Sequence, residues 1–169
     1  MLSLEGPGGA VALGDDLAAA KKAYPAPQGA QVFDNSLSFA VLAVDGWGWV
    51  EEKGMAFEAA LKDGKIIALG LTNMGKAEPS SAIGDQKTKV GAPTRLAESD
   101  NAAVLVWESG ENARFFIVFK KELPMFGQGA MTLIGPKEQL KLLNYRHDDP
   151  ETFVKQIDSA FGVGATPGR

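Results

Sequence analysis

The chain has 169 residues, 45% of them hydrophobic and 22% charged, with a net charge of −4 and no cysteine. That is the profile of one self-sufficient globular domain, and it excludes disulfides, thiolate zinc sites, iron–sulfur clusters and cysteine nucleophiles. No basic run or stripe offsets the acidic balance, which argues against a nucleic-acid partner, and no apolar segment approaches the ~20 residues that span a bilayer.

Residues 1–12 are Gly-rich and read as a flexible lead-in, with a short strand near Ala10–Leu13. Gly6-Pro7-Gly8-Gly9 lacks the Gly-Lys-Ser/Thr ending of a phosphate loop and is set aside. The segment also lacks the basic and long apolar regions of a secretory signal. A first unit, 13–71, opens after Gly14 with a helix. Asp15 is positioned to cap it, Asp16 suits its positive end, and Lys21 and Lys22 suit the other. Leu17, Ala20 and Tyr24 form its apolar stripe, and Pro25 and Pro27 stop it.

Strands follow. Gln31–Phe33 reads as extended, Leu37–Val44 as a strand closed by an Asp45-Gly46 turn, and Trp47–Glu51 as a strand with both indoles on one face. Met55–Lys62 and Lys65–Leu71 then flank Asp63-Gly64, the signature of a two-residue type I′ hairpin turn. That turn pairs Lys62 with Lys65, Leu61 with Ile66, Ala59 with Ala68 and Phe57 with Gly70. The expected buried face is Leu61, Ile66, Ala59, Ala68 and Phe57.

Residues 72–82 are polar, with Gly75 and Pro79, and read as a linker. In the second unit, 83–135, Ile83-Gly84-Asp85 repeats Leu13-Gly14-Asp15 ahead of a helix at Gln86–Val90, which Gly91-Ala92-Pro93 breaks. Ala102–Glu108 is a strand carrying Trp107, turned by Ser109–Asn112. Phe115, Ile117 and Phe119 echo Phe57, Ala59 and Leu61, and Ala130–Ile134 returns. In 136–162, Leu140–Asn144 is a strand or a turn of helix. Asp149 caps a helix that starts at Pro150 and Glu151 and is striped by Phe153, Val154, Ile157 and Phe161; Gly162 ends it. Residues 163–169 are a frayed tail. The expected fold is α+β: one compact domain with an antiparallel sheet built from two degenerate helix-plus-meander repeats, helices on one face, and a C-terminal helix.

Catalytic constellations are thin. His147 is the lone histidine, so a two-histidine metal site is impossible, and no nucleophile motif accompanies it. Asp15-Asp16 and Asp148-Asp149 read as helix starts. Gly162-Val163-Gly164 has neither the preceding strand nor the following helix of a dinucleotide fingerprint. No catalytic, cofactor-binding or metal-binding residue is assigned, and an enzyme is not expected. Recognition features are stronger. Trp47 and Trp49 form either an anchor surface or part of the core. The connection Lys121–Gly129 places Leu123, Met125 and Phe126 in a loop, and apolar loop residues either fold back or meet a partner. These five are the candidate partner-binding residues.

Leu13-Gly14-Asp15 with Pro25, and Ile83-Gly84-Asp85 with Gly91-Ala92-Pro93, Trp107 and Phe115–Phe119, give two units that resemble the β-lactamase inhibitor protein family. The single unit also looks like the small outer-membrane lipoprotein that assists β-barrel assembly. The family's disulfides and the lipoprotein's lipidated cysteine have no counterpart here. The resemblance implies a sheet that grips a protein partner outside the cytoplasm, provided a signal peptide has been removed; otherwise the protein is expected in the cytoplasm. The expected function is a non-enzymatic protein-binding or inhibitor-like module. The alternatives are a small-ligand pocket or enzyme beneath the helices, with Trp47, Trp49 and Tyr145–Asp149 at its mouth, and an immunity protein or chaperone.

Overall fold

The structure, a computed structural model, describes residues 2–34, 45–74, 79–123, 127–142, 145–146 and 148–165. The expected Leu37–Val44 strand, Met125, Phe126 and His147 lie outside these residues. The described elements run β1 (Ser3–Gly6), β2 (Gly9–Ala12), α1 (Leu17–Ala23), β3 (Gln31–Phe33), β4 (Asp45–Val50), β5 (Met55–Lys62), β6 (Lys65–Met74), α2 (Pro79–Val90) and β7 (Arg95–Glu98). They continue with β8 (Ala102–Ser109), β9 (Asn112–Leu123), β10 (Gly127–Pro136), β11 (Lys141–Leu142), β12 (Tyr145–Arg146) and α3 (Pro150–Ala165).

The fold is α+β around an eight-stranded antiparallel sheet in the order β3-β4-β5-β6-β10-β9-β8-β7. Each half is a helix followed by a four-strand meander, α1 with β3–β6 and α2 with β7–β10. The halves meet where their last strands, β6 and β10, pair. Both meanders are local hairpin chains, and the non-local pairing is concentrated at that seam.

The Asp63-Gly64 turn forms as expected, with φ of 52° and 76° and with Lys62 opposite Lys65 and Leu61 opposite Ile66. Beyond it the expected register fails by one residue. A bulge leaves Ile67 unpaired, so Ala60, not Ala59, faces Ala68, and Phe57 faces Leu71. One extra residue reverses which face every later side chain meets. Ala68 therefore leaves the Phe57–Leu61 face, and Leu69 and Leu71 join it.

On that face Trp47, Trp49, Phe57, Ala59, Leu61, Ile66, Leu69 and Ile134 pack under α1 and the β1–β2 hairpin. In the second half the same face presents Ala103, Leu105, Trp107, Phe116 and Val118 to Ile83 of α2. The opposite face carries Val104, Val106, Phe115, Ile117, Phe119 and Leu133, packed against Phe153, Val154 and Ile157 of α3. Helices thus cover both faces, α1 and α2 one and α3 the other, which corrects the expectation of helices on one face. The reason is visible in β8 and β9, which are apolar on both sides and need two covers. Asp158 fixes α3 to the β7–β8 turn by accepting from Ser99 Oγ at 2.6 Å and Asn101 Nδ2 at 2.7 Å.

Several boundaries move. Within the expected lead-in, residues 3–12 form a paired hairpin with Leu4 and Val11 buried. Asp16, not Asp15, caps α1 by accepting from Ala19 N, while Asp15 accepts from Ala12 N. Asp45 and Gly46 are paired strand residues rather than a turn. The 72–82 linker is mostly strand and helix, since β6 reaches Met74 and α2 begins at Pro79, a residue suited to a first helical position. Ile83-Gly84-Asp85 therefore lies inside α2. Strands β9 and β10 absorb most of the Lys121–Gly129 connection, leaving residues 124–126 between them. The last helix starts at Asp149-Pro150 as expected but runs past Gly162 to Ala165.

Candidate functional site: a furrow between two lids

The β1–β2 hairpin is pressed onto the end of α1 because two glycines let it be. A Cβ on Gly8 would run into the Lys22 carbonyl oxygen, and one on Gly6 into that of Ala23. Gly8 N instead donates to Ala23 O at 3.1 Å. The Gly6–Gly9 stretch that superficially suggests a phosphate loop is therefore a turn sealed against a helix terminus. Tyr24 completes the lid. Its ring stacks on Phe57 with centroids 4.5 Å apart, and its hydroxyl donates to Glu5 O at 2.9 Å.

The tryptophans are interior. Trp47 is 6% exposed and Trp49 1%, so neither is a surface anchor. Trp49 Nε1 donates to the Tyr24 carbonyl at 2.9 Å, just past α1. Trp107 Nε1 repeats the device on Gly91 O at 3.0 Å, just past α2. Each half thus uses an indole N–H to satisfy a carbonyl that the end of its helix leaves without an intrahelical partner. Leu123 is the last residue of β9.

The concave feature lies between the two lids, along the β6–β10 seam. A cavity of about 300 Å³ is walled by β1, Tyr24, α2 and the sheet, with Leu71, Arg114 and Thr132 in its floor. A second, of about 190 Å³, adjoins it, sharing Leu71, Gln86, Lys89 and Thr132 and adding Asn73, Phe116 and Ala130. Register explains the floor. Leu71 pairs with Thr132 and Thr132 with Phe116, while Asn73 pairs with Ala130, so one face of three adjacent strands lines the furrow.

Polar chemistry concentrates there. Among the described residues the buried polar side chains are Arg114, 6% exposed, and Thr132, 5% exposed, and both line the first cavity. Arg114 Nη1 donates to Ser3 O at 2.9 Å and Nη2 to Gln86 Oε1 at 2.8 Å, so one guanidinium ties the hairpin lid to the helix lid. Burial pulls the Arg114 pKa below its ordinary value, with Tyr24 opposing. Burial also pushes the Tyr24 phenol up to about 12, the Arg114 charge working against the rise and Glu5 adding to it. In the second cavity, Asn73 Oδ1 is buried without a hydrogen-bond partner, a costly state for an amide oxygen.

None of these residues stood out as a candidate in the sequence. A signal was present in β9, Ala113–Phe119, where Arg114 is the single charge in a run otherwise apolar on both faces. A charge at such a place must be satisfied or used. Thr132 interrupts Ala130–Ile134 in the same way.

No family model, curated protein or solved structure matches the chain. The site is therefore read from its own chemistry. Among the described residues no group of three or more His, Cys, Asp or Glu could hold a metal ion, and no described helix is long and apolar enough to cross a membrane.

Proposed function

We propose that the protein is a binding module for a small polar ligand, held in the furrow between the β1–β2/α1 lid and α2. One observation carries the reading: the buried polar side chains Arg114 and Thr132 converge on the same concavity. A merely structural seam between two half-sheets would be expected to close with apolar side chains, since each buried polar group costs ~1–3 kcal/mol unless satisfied. The first cavity sits at the lower end of ligand-site volumes, roughly 300–1,000 Å³.

The test is a cavity-filling substitution. Ala130→Phe puts a ring into the second cavity, where Ala130 lies on the floor. A thermal-shift screen of small polar compounds should yield hits on the native protein that vanish on Ala130→Phe. Hits that survive both this substitution and Thr132→Phe, which fills the first cavity from its floor, refute the furrow as their site.

A protein-gripping role is the second reading. Its support is a set of partly buried apolar side chains, Phe33, Ile67, Met74 and Met131, that pack against the α3-side core, together with the partner that resemblance to the inhibitor family implies. Paired charge substitutions at Ile67 and Met131 that abolish capture of a host protein, while leaving small-ligand hits intact, would favour it.

A further inference from the structure

We infer that the furrow's occupant is an anion: a small molecule bearing one carboxylate or phosphate group, which docks against Arg114 and Lys89. The inference rests on the ligand-binding reading above and adds the chemical class.

Charge placement supports it. Arg114 is the one charged side chain in the buried class among the described residues, and it lies in the wall of the larger cavity. A charge in that low-dielectric position acts far more strongly on an incoming group than a solvated one does. Lys89 lines both cavities from α2, adding a second cation. Lys89 and the acidic residues of the lining, Glu5 and Asp85, are all exposed, where water screens them, so the buried charge is that of Arg114 alone. The deep end of the furrow is therefore cationic and its mouth mixed.

Geometry supports it as well. The guanidinium plane is held from two sides by Ser3 O and Gln86 Oε1, both neutral oxygens. A guanidinium fixed beforehand needs less ordering when a carboxylate or phosphate oxygen approaches its charge. Thr132 lines both cavities, and a threonine hydroxyl is able to donate to an anionic oxygen. The apolar part of the second cavity's lining, Leu71, Phe116 and Ala130, suits the uncharged remainder of such a molecule, and Asn73 Oδ1 beside it calls for a donor on that remainder.

The experiment titrates inorganic phosphate and acetate, separately, into the full chain in low-salt buffer, with glycerol as neutral probe and sodium chloride at matched ionic strength as control. Amide shifts are followed in two-dimensional NMR. Saturable shifts at Leu71, Gln86, Lys89 and Thr132 with either anion, absent with chloride, are expected. Which anion saturates first separates the phosphate from the carboxylate source. Lys89→Gln, an exposed change that leaves the fold alone, should weaken the response several-fold. Arg114→Lys, which keeps the charge but loses the fork, should abolish it where the variant folds. Shifts at the furrow with glycerol but neither anion overturn the anionic assignment and leave the ligand reading standing. No furrow shifts with any probe, or an undiminished response in Lys89→Gln, overturn the anion site; the ligand reading falls separately if the polar-compound screen also yields nothing that Ala130→Phe removes.

Discussion

Replacing Arg114 with Leu removes the side chain that joins the two lids. It loses hydrogen bonds from a charged donor to Ser3 O and Gln86 Oε1, each worth ~1.5–3 kcal/mol, and leaves both oxygens to find other partners. Against this, an apolar side chain relieves part of the cost of burying a guanidinium, about 1–2 kcal/mol of the total. The balance is a net loss of roughly 2–4 kcal/mol. With a urea m-value of about 2–3 kcal/mol/M, the midpoint should fall by roughly 1 M. The loss should also be local first. Amide hydrogen exchange should show β1–β2 losing protection well before the β8–β9 core, because Ser3 is tied to the sheet by this arginine. Arg114→Lys, retaining one donor arm, should fall between. An unchanged midpoint together with unchanged exchange at Leu4 and Val11 would refute the clamp.

Four further outcomes follow from the same structure. All three tryptophans of the chain are buried, so native fluorescence should be blue-shifted and resist acrylamide; one readily quenched indole would contradict the interior placement. Burial holds the Tyr24 phenol protonated up to about 12, above its unfolded value near 10. That stabilisation is complete below pH 10 and is lost as pH rises towards 12, by up to roughly 2 kcal/mol; Tyr24→Phe should flatten this alkaline limb, as denaturation midpoints across the range will show. Gly8→Ala should cost more than the ~1–3 kcal/mol of ordinary overpacking, because its methyl meets the Lys22 carbonyl; circular dichroism melts and exchange at β1–β2 would report it. Ile157→Ala should cost ~2–5 kcal/mol and leave the furrow's ligand response unchanged, since α3 lies on the other face.

Where one signal dominates locally, the sequence reads well. Asp63-Gly64 specifies its turn, Asp149-Pro150 starts the last helix, and the Phe115-Ile117-Phe119 alternation marks a buried strand. The repeat of helix and meander was legible from the order of these signals. What escaped depends on contacts between distant segments. Gly6 and Gly8 look like flexibility in isolation, yet they are small because Ala23 and Lys22 lie against them. The bulge at Ile67 has no local marker, since Lys65–Leu71 is apolar on both sides of it and either register buries something. The furrow was hidden for the same reason. Arg114, Thr132 and Asn73 come from three strands and are neighbours only once β6 meets β10 and β10 meets β9.

The most direct test is where a ligand lands. Amide spectra of the full chain, recorded against pools of small polar compounds, should show saturable shifts clustered on Leu71, Asn73, Gln86, Lys89, Arg114 and Thr132 and removed by Ala130→Phe. Shifts that instead gather on the α3 side of the sheet, or that leave the β6–β10 seam untouched, contradict the account.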